Sequence, residues 1–188
     1  YQPSGVFIDP RLLDSLPKDE VVSGLGEVIK YGAIRDRKFL DKLSKWLDNM
    51  DEFPFEKAIE ISVKIKAEIV SIDEKELGLR KILNFGHTFA HAYEASLNFS
   101  KRLNHGEAVI LGMKSAFEFS HNKKMITYKE FESAIKHLNN SHFPGSIKNY
   151  FTIKKINQII SFMMRDKKNN SKNIKLILIR KIGGPIIE

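Results

Sequence analysis

A chain of 188 residues is long enough for one ordinary domain with its own core. It contains no cysteine, which excludes disulfides, thiolate nucleophiles and cysteine-ligated zinc, so any metal must be held by His, Asp or Glu. The net charge is +8, but the basic residues are dispersed and form no basic–aromatic stripe, which argues against nucleic acid and an anionic membrane; a phosphate or carboxylate substrate would serve as well, and so would a charge excess that only keeps the surface soluble.

Taken in order, the chain opens on Tyr1-Gln2-Pro3 without an initiator Met and runs at once into Val6-Phe7-Ile8, a strand-like pattern closed by Asp9-Pro10. That start reads as a piece beginning inside a longer fold. After Pro17, Asp19-Glu20 opens a helix running to Ile34, with acid in its first turn as the helix dipole favours. Glu27 and Lys30 share a face of it, and alone they read as a surface salt bridge. Asp36 to Asn49 is a second helix with Phe39, Leu40, Leu43, Trp46 and Leu47 as its apolar stripe. A loop at Asp51 to Pro54 precedes a long helix ending near Ile72, which lysines 64 and 66 interrupt.

The stretch Asp73 to Arg80 is dense in charge and turns at Gly78. The spacing then predicts a helix from Lys81 to Glu94, on which Asn84, His87 and His91 form one polar stripe. Such a stripe on a helix otherwise apolar at Ile82, Phe85 and Phe89 needs partners if buried. After a loop over Leu97 to Leu103, a further helix starts at His105, where Gly106 and Gly112 point to close backbone approach. An amphipathic helix covers Thr127 to Leu138, and Phe151-Thr152 leads into another ending at Arg165. His121, His137 and His142 show no partner pattern and read as surface residues. Asp166 to Lys172 is a basic turn, Ile174 to Ile179 a short strand, and Gly183-Gly184 a turn. The fold class is therefore mainly α, a single multi-helix domain over residues 1–188 with a short strand near each end. No segment is apolar for long enough to span a bilayer, and the missing cysteine fits a cytoplasmic protein.

Three of the six histidines fall between Arg80 and Met113. His87 and His91, four apart, share a helix face, and His105 follows on a separate element, which is how a chain gathers metal ligands. The same spacing serves a polar groove as readily as a metal site.

The ordered segments Glu27-Val28-Ile29-Lys30-Tyr31, Lys66-Ala67-Glu68-Ile69-Val70, Asp73 to Arg80, Leu83-Asn84-Phe85-Gly86-His87-Thr88, His91-Ala92 and His105-Gly106-Glu107-Ala108-Val109 resemble the 3-dehydroquinate synthase family. Tyr1-Gln2-Pro3 and Asp166-Lys167-Lys168 match its pattern too, so the likeness runs nearly the length of the chain. It covers the family's C-terminal, mainly helical domain. The Rossmann-like domain that precedes it in the family and binds most of the NAD is absent from this chain, so the chain alone is expected to be inactive.

The resemblance implies conversion of 3-deoxy-D-arabino-heptulosonate 7-phosphate to 3-dehydroquinate and phosphate, a lyase step of the shikimate pathway that uses NAD and a divalent metal, zinc or cobalt. It assigns Glu27, His87 and His105 to the metal, and so frees His91 for the substrate. Lys30, Arg80, Asn84 and His91 take catalytic positions. Lys66, Arg80, Asn84, His91 and Lys168, with its neighbour Lys167, take substrate positions. Ser15 stands where the family contacts NAD, a position usually held by Thr. Glu20 and Glu76 also match, and read equally as helix-start and ion-pair residues. The resemblance further implies a homodimer. Two alternatives remain. One is another sugar-phosphate cyclase making an inosose or a valiolone, against which Lys66, Arg80, Asn84 and His91 together argue. The other is a stand-alone metal-binding domain.

Overall fold

The computed structural model describes residues 3–165 and 174–188. The described chain is mainly helical, as expected, and closes with a β-hairpin. The helices are α1 (Lys18–Arg35), α2 (Arg37–Leu47), α3 (Phe55–Ile72), α4 (His87–Ser96), α5 (His105–Asn122), α6 (Tyr128–Leu138) and α7 (Ile156–Arg165); the strands are β1 (Ile177–Lys181) and β2 (Gly184–Ile187).

The fold is assembled round α5. Ala108, Val109, Ile110, Leu111, Gly112 and Met113 are consecutive and all buried, so this helix is apolar on every side over its middle turns. It packs against α1, α4, α6 and β1, which supply those sides with partners. Asn104 caps its start in a reciprocal box, its side chain accepting from Glu107 N while the Glu107 carboxylate accepts from Asn104 N. At its far end the buried Ser120 hydroxyl donates to Ala116 O and accepts from Ile179 N, tying β1 to the helix. The hairpin pairs Ile177 with Ile187 and Leu178 with Ile186 in antiparallel register. Its turn residue Gly183 has φ +81° and donates its N–H to Ala33 O at 2.9 Å, which docks the hairpin on the end of α1.

Two expectations fail locally. Val6 to Ile8 forms no strand; Phe7 is wholly exposed and its neighbours largely so. An isolated strand has no ladder to complete, and nothing among the described residues pairs with this one. Both strands therefore lie at the C-terminal end. The helix expected from Lys81 to Glu94 is interrupted: Leu79–Asn84 is a 3-10 helix, and α4 starts only at His87. Between them Gly86 takes φ +80°, a left-handed conformation that suits glycine. Phe85 is buried beside Phe117, edge to face at 5.2 Å, and pins the break against α5.

The histidines outside the cluster also differ from expectation. His137 is largely buried between α2 and α6, bonded to Ser44 Oγ and 3.2 Å from Asp41 Oδ1. His121 stacks on Phe131 at 5.3 Å. His142 alone is exposed.

Candidate metal centre

Two glycine contacts bring the candidate ligands together. Gly106, next to His105, lies so close to α1 that a Cβ there would fall 2.0 Å from Ser23 O. Its N–H donates to Ser23 Oγ at 3.0 Å. Gly26, next to Glu27, faces Gly106 across the same contact, where a Cβ would sit 2.7 Å from Gly106 O. This places the start of α5 directly on α1 at Glu27. The second contact is Gly112 on α5, whose added Cβ would meet Gly86 O at 2.1 Å. It seats the Gly86 turn, and with it His87, on α5.

The result is one cluster. His87 Nε2 stands 3.2 Å from Glu27 Oε1, and His105 Nε2 stands 3.8 Å from the same oxygen. One ligand atom from each of Glu27, His87 and His105 lies within 4.8 Å of the others. Ligands at ~2.0 Å from a tetrahedral ion are about 3.3 Å apart, so these separations bracket what a zinc-sized ion needs. Glu27 Oε1 is buried without a well-directed hydrogen bond. A buried carboxylate oxygen in that condition is costly unless a cation meets it. The three residues therefore fit a divalent ion, with coordination positions left over for other oxygens.

The electrostatics of Glu27 and His87 suit the same purpose, whereas the hydrogen bond from Glu94 raises the His105 imidazole above its ordinary value. Burial alone would raise the Glu27 carboxyl, but the adjoining His87 and Lys30 outweigh it and hold the group at about 2. Burial pushes the His87 imidazole below its ordinary value, against the pull of Glu27. A neutral imidazole with a free Nε2 is the form a metal takes. The opposite nitrogens of both rings are engaged: His87 Nδ1 lies 3.2 Å from Phe85 O, and His105 Nδ1 lies 3.2 Å from Glu94 Oε1. Lys30 and Glu27 do not form a surface salt bridge. Lys30 is buried, its Nζ 2.5 Å from Glu27 Oε2 and 5.5 Å from the centre of the Tyr31 ring.

His91 joins the cluster without joining the ligand set. Its ring meets His87 edge-on at 5.6 Å and lies roughly parallel to His105 at 6.3 Å. Arg80 and Asn84 sit on the 3-10 helix just before the Gly86 turn, and that helix packs on α3, which carries the exposed Lys66. Arg80 donates through Nη1 to Glu74 O, and Asn84 donates through Nδ2 to Glu76 Oε1 at 2.7 Å. Ser15 ends a short 3-10 helix, exposed, with its hydroxyl on Leu12 O. Glu20 is exposed in the first turn of α1. Lys167 and Lys168 lie outside the described residues.

Two contributors escaped the sequence reading. Asp73 accepts backbone N–H groups from Leu77, Gly78 and Arg80 at 2.8–2.9 Å, which curls the charged loop and sets Arg80 at its end. An Asp heading a turn with Gly five residues on is the signal that was there to find. Glu94 supports His105; it lies three residues after His91 and so on the histidine face of α4.

The sequence pattern described as "3-dehydroquinate synthase C-terminal" matches residues 24–169. The chain belongs to the 3-dehydroquinate synthase family. It is 52% identical to the 3-dehydroquinate synthase of Pelagibacter ubique, a match over 99% of the chain and 51% of that protein. It is 38% identical to that of Zymomonas mobilis over its whole length, again 51% of the relative. The chain thus spans about half the length of the curated relatives it matches. Among solved structures, 2-epi-5-epi-valiolone synthase from Streptomyces hygroscopicus, with NAD+ and Zn2+ bound, superposes with a TM-score of 0.76 at 21% identity, over 96% of this chain and 50% of that one. A 2-deoxy-scyllo-inosose synthase complexed with carbaglucose-6-phosphate, NAD+ and Co2+ gives 0.71 at 19% identity, over 94% and 49%. At those identities the likeness is one of fold, and it agrees with the helical architecture described above.

Proposed function

We propose that this chain is the metal- and substrate-binding half of a 3-dehydroquinate synthase, acting on 3-deoxy-D-arabino-heptulosonate 7-phosphate. The observation that carries the reading is the convergence of Glu27, His87 and His105 from three helices around a buried carboxylate oxygen that makes no well-directed hydrogen bond. Glu27, His87 and His105 hold a divalent ion, zinc or cobalt. The solved relatives' bound Zn2+ or Co2+ and NAD+ support this choice of cofactors. When bound, the ion lends Lewis acidity to the hydroxyl being oxidised, and NAD takes up the hydride and later returns it.

The chain's own residues bind and orient the substrate. Lys30, fixed beside Glu27, contacts the substrate at the cluster. Arg80 suits a planar carboxylate through two parallel hydrogen bonds. Asn84 and Lys66 serve the substrate oxygens beside it. His91, stacked within the histidine cluster but outside the ligand set, holds or moves a proton at its ring nitrogen. Lys168 and Lys167 add positive charge for the substrate, and Ser15 contacts NAD. Both Arg80 and Asn84 are occupied by Glu74 O and Glu76 in this structure, so substrate binding exchanges those internal partners for the ligand.

The remaining half of the enzyme is a preceding NAD-binding domain, consistent with the half-length match to relatives. The 188 residues alone bind metal but do not turn over. The complete enzyme is a cytoplasmic homodimer; no helix among the described residues is long and apolar enough to cross a membrane.

The test is a calorimetric zinc titration of the metal-stripped chain. One site is expected, lost in His105→Ala and retained in His91→Ala. Loss in His91→Ala with retention in His105→Ala would overturn the ligand assignment. In the full-length enzyme, turnover of a seven-carbon sugar phosphate lacking the carboxylate would overturn the substrate.

A further inference from the structure

The Glu94 carboxylate lies on α4, two turns beyond His87, with its side chain only 13% exposed. The contact it makes is with His105, across the cleft between α4 and the start of α5: Oε1 is 3.2 Å from His105 Nδ1. His105 is the most exposed of the three candidate ligands, at 46% of its side chain, and so the one least held by packing. His87 has neighbours to fix it, with a backbone carbonyl on its Nδ1 and a largely buried ring. His105 has Glu94 in the corresponding position.

We infer that Glu94 is a positioning residue of the metal centre, accepting a hydrogen bond from His105 Nδ1–H so that Nε2 is unprotonated and aimed at the ion beside Glu27. The inference rests on the metal-binding reading above and deepens it. A neutral imidazole carries one proton on two nitrogens, and free in water it favours Nε2, the wrong one here. A carboxylate at hydrogen-bond distance from Nδ1 reverses that preference. It also restricts rotation of the ring and strengthens Nε2 as a donor to the metal. The burial of Glu94 suits the role, because a carboxylate withdrawn from water binds an N–H more strongly than a solvated one. The arrangement divides labour between two acids. Glu27 meets the ion directly, while Glu94 acts only through His105.

The experiment compares the metal-stripped chain with Glu94→Leu and Glu94→Gln. Zinc affinity is read by calorimetry, His105 tautomer by nitrogen NMR on histidine-labelled protein, and folding by the metal-free melting midpoint. Glu94→Leu is expected to weaken zinc by roughly 10- to 100-fold and to move the His105 proton from Nδ1 to Nε2, with an unchanged midpoint. Glu94→Gln retains a carbonyl acceptor, so it restores the Nδ1–H tautomer and most of the affinity. Wild-type zinc affinity or an unshifted tautomer in Glu94→Leu would overturn the inference while leaving the metal site intact. So would equal loss in both variants with a fallen midpoint, which marks a structural role. A wild-type chain that binds no zinc would refute the metal site itself, and the tautomer measurement would then stand alone.

Discussion

Replacing Gly106 with alanine tests whether the helix contact sets the metal geometry. The new methyl would lie 2.0 Å from Ser23 O, 2.4 Å from Ser23 Cα and 2.5 Å from Ser23 C. All three are backbone atoms of α1, so no side chain can swing aside. Relief requires the start of α5 and α1 to part by about 1 Å, and overpacking of this kind costs about 1–3 kcal/mol. The same movement carries His105 away from Glu27. Their ligand atoms, 3.8 Å apart now, would separate further, whereas a tetrahedral ion wants about 3.3 Å. Zinc affinity should fall by at least roughly 10-fold, the scale on which sites respond to small losses of support. Denaturant unfolding of the metal-free chain reads the first effect and zinc calorimetry the second. Gly24→Ala is the control: it lies on α1 with open space where its Cβ would go. It should gain up to about 1 kcal/mol from helix propensity and leave zinc unaffected. Wild-type zinc affinity in Gly106→Ala would refute the claim that this contact fixes the spacing of Glu27 and His105.

Three further outcomes are expected. Asn104→Ala and Thr127→Ala each remove a capping box, from α5 and α6, and each should cost about 1 kcal/mol in unfolding experiments; only Asn104→Ala should also weaken zinc, since His105 is the first residue of α5, and equal zinc affinity in both would separate the cap from the site. The metal-free chain should lose stability in acid through Glu27: its folded value of about 2 is below the ordinary 4.5, so its contribution is complete above about pH 5 and lost as pH falls toward 2. His87, also depressed when folded, adds loss in the same direction as pH falls below its ordinary 6.5. The gap in unfolding midpoint between wild type and Glu27→Gln should therefore narrow between pH 5 and pH 2, and a constant gap would contradict the assignment. In Lys30→Met, carbon NMR should find the Glu27 carboxyl raised from about 2, because one of the groups holding it down is gone; a carboxyl that stays near 2 would show that His87 suffices.

Much of the helical layout was legible because its signals are local. Asp36 and Thr127 accept from N–H groups of the first turns of α2 and α6, and Pro17 ends at the start of α1. The apolar stripe of α2 is the buried one, with Phe39, Leu40, Leu43 and Leu47 all in the core. The failures arose where tertiary contact overrides periodicity. Ile82, Phe85 and Phe89 continue a helical pattern through residue 86, yet Gly86 takes a left-handed turn there with its carbonyl set close against Gly112 of α5. Val6 to Ile8 alternates correctly for a strand, but a strand is a property of two segments and the described residues supply only one. His137 looked solitary because its partners, Ser44 and Asp41, are about 90 residues earlier and reach it only when α2 meets α6.

The candidate site shows the same division more sharply. Spacing within one helix could pair His87 with His91, since both are on one face, but it could not rank that pair against a set drawn from three helices. The deciding facts are contacts between glycines. Gly26 and Gly106 let α1 and α5 touch where each carries a candidate ligand at an adjacent position, and Gly112 on α5 seats the Gly86 turn that precedes His87. His105 therefore reaches Glu27, while His91, a turn further along α4, meets the rings of His87 and His105 instead. The acidic partners follow from the same placement. Glu27 and Glu94 lie on opposite sides of His105, one facing each ring nitrogen, 3.8 Å from Nε2 and 3.2 Å from Nδ1. No local pattern encodes that arrangement, because its residues lie on three separate helices that meet only where the small residues let them touch.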